Sequence, residues 1–102
     1  MHIGIPVTNK KPGMTYVEAL NIWISNPDDH EYKIEYVKFE EGTPFPEIMH
    51  RAPHIAFKVD NIEEHLNAAD QTIFAPIEIG PGTRIAFAIK DGTILEFYEQ
   101  KK

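Results

Sequence analysis

The chain has no cysteine, which excludes disulfide staples, thiolate metal sites and a cysteine nucleophile. Basic residues are few: 10 Lys and Arg stand against 16 Asp and Glu, for a formal net charge of −6. Those cations are scattered, so the basic footprint that a nucleic-acid partner needs is missing. No apolar run approaches the roughly 20 residues of a membrane span. The first stretch, MHIGIPVTNKK, has too short an apolar run and the wrong charge placement for a signal peptide. These absences predict a cytoplasmic protein with a small-molecule substrate, no nucleic acid and no membrane.

What is present is ordinary globular material. An apolar fraction of 42% and a charged fraction of 25% over 102 residues suit a single domain spanning 1–102. Three parts are legible within it: a module at about 1–40, a connector at 41–53 and a second module at about 54–102. His2 to Val7 reads as a strand, stopped by a polar run and the Pro12-Gly13 turn. Met14 to Ser25 reads as two short strands or one bent one, with a helix over Tyr16 to Ile24 as the rival. Asn26 to Asp29 turns the chain and Tyr32 to Glu40 is a strand. The connector holds Gly42, Pro44, Pro46 and Pro53, leaving room for one helical turn near Pro46 to His50.

The second half is clearer. His54 to Val59 is a strand, and Asp60 with Glu63 has the spacing of a capping box that opens a helix of two to three turns. Ile62, Leu66 and Ala69 fall on one face of that helix. Thr72 to Ile79 is a strand that Pro76 assigns to an edge. Arg84 to Lys90 and Thr93 to Glu99 are strands joined by Asp91-Gly92, a strong hairpin signal. The fold class expected is α+β.

The halves repeat each other. HIGIPV at His2 matches HIAFKV at His54, and Ile34-Glu35-Tyr36 matches Leu95-Glu96-Phe97. The His-to-Glu spacing is longer in the second half by about the length of a short helix, so the first module is expected to lack one. Strand alternation places His2 with Gly4 and Pro6 on one face, and His54 with Ala56 and Lys58. The opposite faces, Ile3-Ile5-Val7 and Ile55-Phe57-Val59, are apolar stripes that call for a covering layer. A carboxylate flanked by Ile94 and Tyr98 is costly to bury alone. A cation offsets that cost, and His2, Glu35, His54 and Glu96 together form an N2O2 donor set. Imidazole and carboxylate suit Zn, Ni, Mn, Fe or Co without choosing among them. A single His or Glu at such places is usually solvated, and the duplication is what gives the set its weight. His30 and His65 read as surface residues, and His50 lies near the second module's first strand.

At these residues the chain resembles the vicinal-oxygen-chelate superfamily, which includes glyoxalase I, methylmalonyl-CoA epimerase, extradiol dioxygenases and the bleomycin- and fosfomycin-resistance proteins. The likeness is strongest over HIAFKVDNIEEHL and GTRIAFAIKDGTILEFYE. It implies two tandem βαβββ-type modules, the first with a reduced or missing helix, forming a curved mixed-sheet cradle around a divalent metal. The ligands implied are His2, Glu35, His54 and Glu96. The activity implied is a glyoxalase-like lyase or isomerase acting on a small oxygenated metabolite. In that chemistry the metal chelates two neighbouring oxygens and stabilises an enediolate, while Glu96 or Glu35 moves the proton. Superfamily habit also implies a homodimer. Two alternatives stand beside it, and one fold hosts them all. One is a drug-sequestering binding protein walled by Trp23, Phe39 and Tyr98, with Tyr16 and Tyr36. The other is an extradiol-type dioxygenase, disfavoured because a fourth protein ligand occupies a position that such iron sites keep open.

Overall fold

The computed structural model describes residues 1–101, as an α+β chain of eight strands and one α-helix. It divides into two compact units, His2–Pro53 and the residues from His54 onward. The connector expected at 41–53 therefore belongs to the first unit.

In the first unit β1 (His2–Pro6) runs parallel to β4 (Ile34–Phe39). β3 (Ile22–Ile24) pairs antiparallel with β4, and β2 (Thr15–Val17) with β3. In the second unit β5 (His54–Val59) runs parallel to β8 (Thr93–Gln100). β7 (Thr83–Lys90) pairs antiparallel with β8, and β6 (Gln71–Gly80) with β7. The two units thus have the same topology: first strand beside last, then third, then second. The repeat seen in His2/His54 and Glu35/Glu96 is a repeat of architecture.

The units differ between their first and second strands. The second unit crosses over through α1 (Ile62–Ala68), so it is a complete βαβββ module. The first has no α-helix there, only the loop from Val7 to Met14. Between β2 and β3 a single 3₁₀ turn spans Glu18–Leu20, and Asn21 follows in the left-handed region at φ 51°. Two short strands are therefore the right reading of Met14 to Ser25, and the rival helix survives only as that turn. Pro46 likewise precedes one 3₁₀ turn, Glu47–His50. Asp91 and Gly92 both take positive φ, as a tight hairpin between twisted strands requires.

The start of α1 corrects the expected capping box. The N-cap is Asn61, whose Oδ1 accepts from the Glu64 amide at 3.2 Å; Asp60 is one residue too early. Glu63 is drawn away by Arg84, which donates to both its oxygens at 2.9 and 3.0 Å. The amide of Ile62 is satisfied from the sheet instead, donating to Glu99 Oε2 at 3.0 Å. Glu99 is buried, and Arg84 also donates to its two oxygens at 3.0 Å. Those Arg84 bonds, with the Ile62 amide, hold the Glu99 carboxyl below the usual range, and Arg84 lowers Glu63 in the same way. A short helix is thereby stapled to its sheet by a buried carboxylate acting as a second cap. Ile62, Leu66 and Ala69 face the sheet as expected, packing with Ala86, Ala88, Leu95 and Phe97.

The first unit covers its corresponding face differently. Tyr16 and Trp23 lie with ring centroids 5.0 Å apart. Lys10 Nζ sits 4.1 Å from the Trp23 centroid, and Lys11 Nζ 4.7 Å from that of Tyr36. Aromatic rings and lysine stems shield the sheet where the second unit uses a helix. Three residues after the shared Glu, the second unit has Glu99 and the first has Lys38. Lys38 cannot accept a helix amide; it pairs instead with Glu40 at 2.7 Å and lowers that carboxyl. The missing helix thus coincides with a missing acceptor.

Candidate metal centre

Strand pairing positions one imidazole and one carboxylate together in each unit. In the parallel pair β1–β4, Gly4 stands beside Glu35, and His2 precedes Gly4 by two residues on the same face. In β5–β8, Ala56 stands beside Glu96, and His54 precedes Ala56 by two. The register is identical. The residue beside the carboxylate is Gly in one unit and Ala in the other, so each Glu can lean diagonally towards its His with no more than a methyl group in between.

His2 Nε2 lies 3.7 Å from Glu35 Oε1, and His54 Nε2 lies 3.1 Å from Glu96 Oε1. The second pair is the deeper, with His54 4% and Glu96 9% exposed. His54 Nε2 is buried and makes no hydrogen bond, although the carboxylate oxygen is within reach. A buried ring nitrogen left so is costly. It is the state expected of a lone pair directed at a cation. Two donors about 2.1 Å from one ion at a tetrahedral angle lie about 3.4 Å apart. The two observed separations fall on either side of that value, so each pair fits half of a divalent-metal site.

The neighbours of Glu96 on its sheet face are apolar. Phe87 stands beside it across β7–β8, and Ile94 precedes it by two on the same face. The Phe87 ring meets His54 edge-on at 5.2 Å and Phe74 edge-on at 6.0 Å. These contacts pack the His54 imidazole against an aromatic pair beside Glu96.

The aromatic residues proposed as ligand walls separate into groups. Trp23 pairs beside Lys38 and Tyr16, on the face opposite Glu35; Tyr36, adjacent to Glu35 in the strand, shares that opposite face. The register therefore removes Trp23, Tyr16 and Tyr36 from any wall beside Glu35. Phe39 does share the Glu35 face, but it stacks on His50 at 4.3 Å and meets Phe45 edge-on at 5.8 Å. His50 Nε2 in turn lies 3.1 Å from the Phe45 carbonyl oxygen, so His50 is a packing residue of the first unit. Tyr98 shares the Glu96 face, and its hydroxyl donates to Gln100 Oε1 at 3.3 Å. His30, expected at the surface, is half-buried: its Nδ1 accepts from the Tyr32 amide within a turn and its ring meets Tyr36 edge-on at 5.9 Å. Sequence reasoning missed the Arg84–Glu99 brace. Its signal was strand alternation, which puts the charged Glu99 in line with apolar Leu95 and Phe97.

Among the described residues no helix is long and apolar enough to cross a membrane. No protein-family profile and no curated protein matches the sequence. Among solved structures the chain is similar to a hypothetical protein, BH1468, from Bacillus halodurans C-125. The two share 26% identity, with a TM-score of 0.66 over 99% of this chain and 93% of that one.

Proposed function

We propose that this chain is a metal-dependent lyase or isomerase of the glyoxalase type, in the vicinal-oxygen-chelate superfamily. The observation that carries the reading is the duplicated His–Glu pair, at the same register in two units of the same topology. In this reading His2, Glu35, His54 and Glu96 hold one divalent cation, of Zn, Ni, Mn, Fe or Co. Such an ion supplies Lewis acidity to a small oxygenated substrate with two neighbouring oxygens. The chain's own part is proton movement: Glu96, or Glu35, takes a proton from the carbon next to a carbonyl and returns it to the neighbouring atom. Glu96 is the better base, because it is the more buried carboxylate of the two, at 11% side-chain exposure against 15% for Glu35. The protein acts as a homodimer in the cytoplasm.

The test is elemental analysis of untagged protein purified without chelator, beside a His54→Ala/Glu96→Ala double variant. The expected result is about one equivalent of a transition metal per chain, lost in the double variant, followed by turnover of dicarbonyl or hydroxy-acid substrates. Absence of metal after loading with zinc, nickel, manganese and iron would overturn the ligand assignment. A metal-free binding protein would then lead.

A further inference from the structure

In the second unit the face that carries His54 and Glu96 continues past them. Strand alternation puts His54, Ala56 and Lys58 on one face of β5, and Ile94, Glu96 and Tyr98 on the same face of β8. The parallel register sets Ala56 beside Glu96 and Lys58 beside Tyr98. Lys58 and Tyr98 are therefore the next pair on that face, about 7 Å further along the strands at roughly 3.3 Å per residue.

Lys58 is exposed, and its ammonium is uncommitted. Among the described residues it is the one basic side chain with no hydrogen bond, ion pair or ring contact. The others are paired with carboxylates, donate to a backbone carbonyl in the case of Lys90, or lie over aromatic rings in the case of Lys10 and Lys11. Carboxylates are plentiful, at 16 Asp and Glu against 10 Lys and Arg, yet none is set against Lys58. Nor does the cation belong to the repeat. At the corresponding step of the first unit Pro6 stands beside Val37. The His–Glu pairs, present twice, suit an ion; a charge present once on the same face suits an unsymmetrical ligand.

We propose that Lys58 selects the substrate, by binding the distal carboxylate of a small diacid whose two neighbouring oxygens are taken at the candidate metal centre. The inference rests on the metal-dependent reading above and narrows its substrate class to a short 2-oxo or 2-hydroxy diacid. The flexible lysine stem lets the ammonium swing back over the step from Glu96, so a diacid of about five carbons spans it. One point charge matches a singly charged carboxylate better than a phosphate dianion. The Tyr98 ring borders the carbon chain between, its hydroxyl already donating to Gln100 Oε1.

The test is isothermal titration calorimetry of zinc-loaded, full-length protein with 2-oxopentanedioate and with 2-oxopentanoate, which keeps the neighbouring oxygens and lacks the distal carboxylate. Wild type is expected to bind the diacid about five- to tenfold more tightly, as one charge-assisted hydrogen bond provides. Lys58→Met, at an exposed position, should bring the two affinities within about twofold of each other. Lys58→Arg keeps the charge and should retain the preference. Zinc content, measured on each sample first, tells failure of the metal centre from failure of Lys58. Zinc-loaded wild type that binds the diacid no better than the monoacid, or not at all, would overturn the role of Lys58 and leave the metal centre standing. So would a preference that survives in Lys58→Met. Protein that takes up no zinc would overturn both.

Discussion

If the buried Glu96 carboxylate is there to hold a cation, replacing it should have different consequences with and without metal. Glu96→Gln keeps the shape of the side chain and removes its charge. In metal-free protein the wild-type carboxylate is 9% exposed, beside Phe87 and Ile94, and the His54 imidazole is 3.1 Å away. Gln has no charge to bury and offers an amide that can donate to the imidazole nitrogen, so the substitution should not destabilise the metal-free protein by more than about 1 kcal/mol. With metal the balance changes. A ligand at 100 times its dissociation constant stabilises the native state by about 2.7 kcal/mol. For a chain of this size that raises Tm by roughly 11–22 °C, at about 4–8 °C per kcal/mol. Loss of one of four ligands that weakens affinity about a hundredfold leaves only about 0.4 kcal/mol at the same metal concentration, a shift of roughly 2–3 °C. Differential scanning calorimetry of both proteins, after chelator treatment and after reloading with zinc or nickel, measures all four states. The same metal-induced shift in wild type and Glu96→Gln would refute the reasoning. So would a metal-free variant several kcal/mol less stable than wild type, since that marks Glu96 as structural.

Four further outcomes are expected. Asn61→Ala should cost about 1 kcal/mol in urea denaturation while Asp60→Ala costs little, because it is Asn61 and not Asp60 that accepts the Glu64 amide at the start of α1; the reverse order would restore the capping box. Ile62→Ala removes three carbons from a fully buried site among Ala86, Ala88 and Phe97, and should cost about 3–4 kcal/mol with its cavity; a loss under 1 kcal/mol would mean that the helix is not anchored there. Glu99 has a lowered carboxyl pKa in the folded state, so its contribution is complete above the unfolded value of about 4.3 and is lost as pH falls through the folded one. In an acid titration followed by circular dichroism, Glu99→Gln should therefore be less stable than wild type at neutral pH and lose less on acidification; parallel curves would contradict the brace. Trp23→Phe should leave metal content unchanged, because Trp23 lies on the face opposite Glu35, and loss of bound metal in that variant would contradict the register.

The parts of this molecule that sequence made legible are those where a two-residue period carries the information. His2 and Glu35, and likewise His54 and Glu96, could be matched because a strand shows its faces in the order of its residues. The parallel pairing then brought each His beside its Glu. What escaped was settled between strands. Asp60 and Asn61 are both good caps, and the choice went to Asn61 because Arg84, more than twenty residues along the chain, draws Glu63 out of the reciprocal bond that a capping box needs. Trp23 read as a binding aromatic because nothing local shows which face β3 presents; its register against Lys38 decides that. The same strand position explains why one module keeps its helix and the other does not. Glu99 in the second unit accepts the first amide of α1 and is held by Arg84 from the neighbouring strand. In the first unit Lys38 stands in place of that acceptor, and Trp23 stands beside it where Arg84 would be. A helix placed there would meet an ammonium and an indole instead of a braced carboxylate. Each substitution favours a loop whose lysines lie over the aromatic rings. The asymmetry between the modules follows from those two positions on the face away from the carboxylates, and the His–Glu pair is retained on the other face in both.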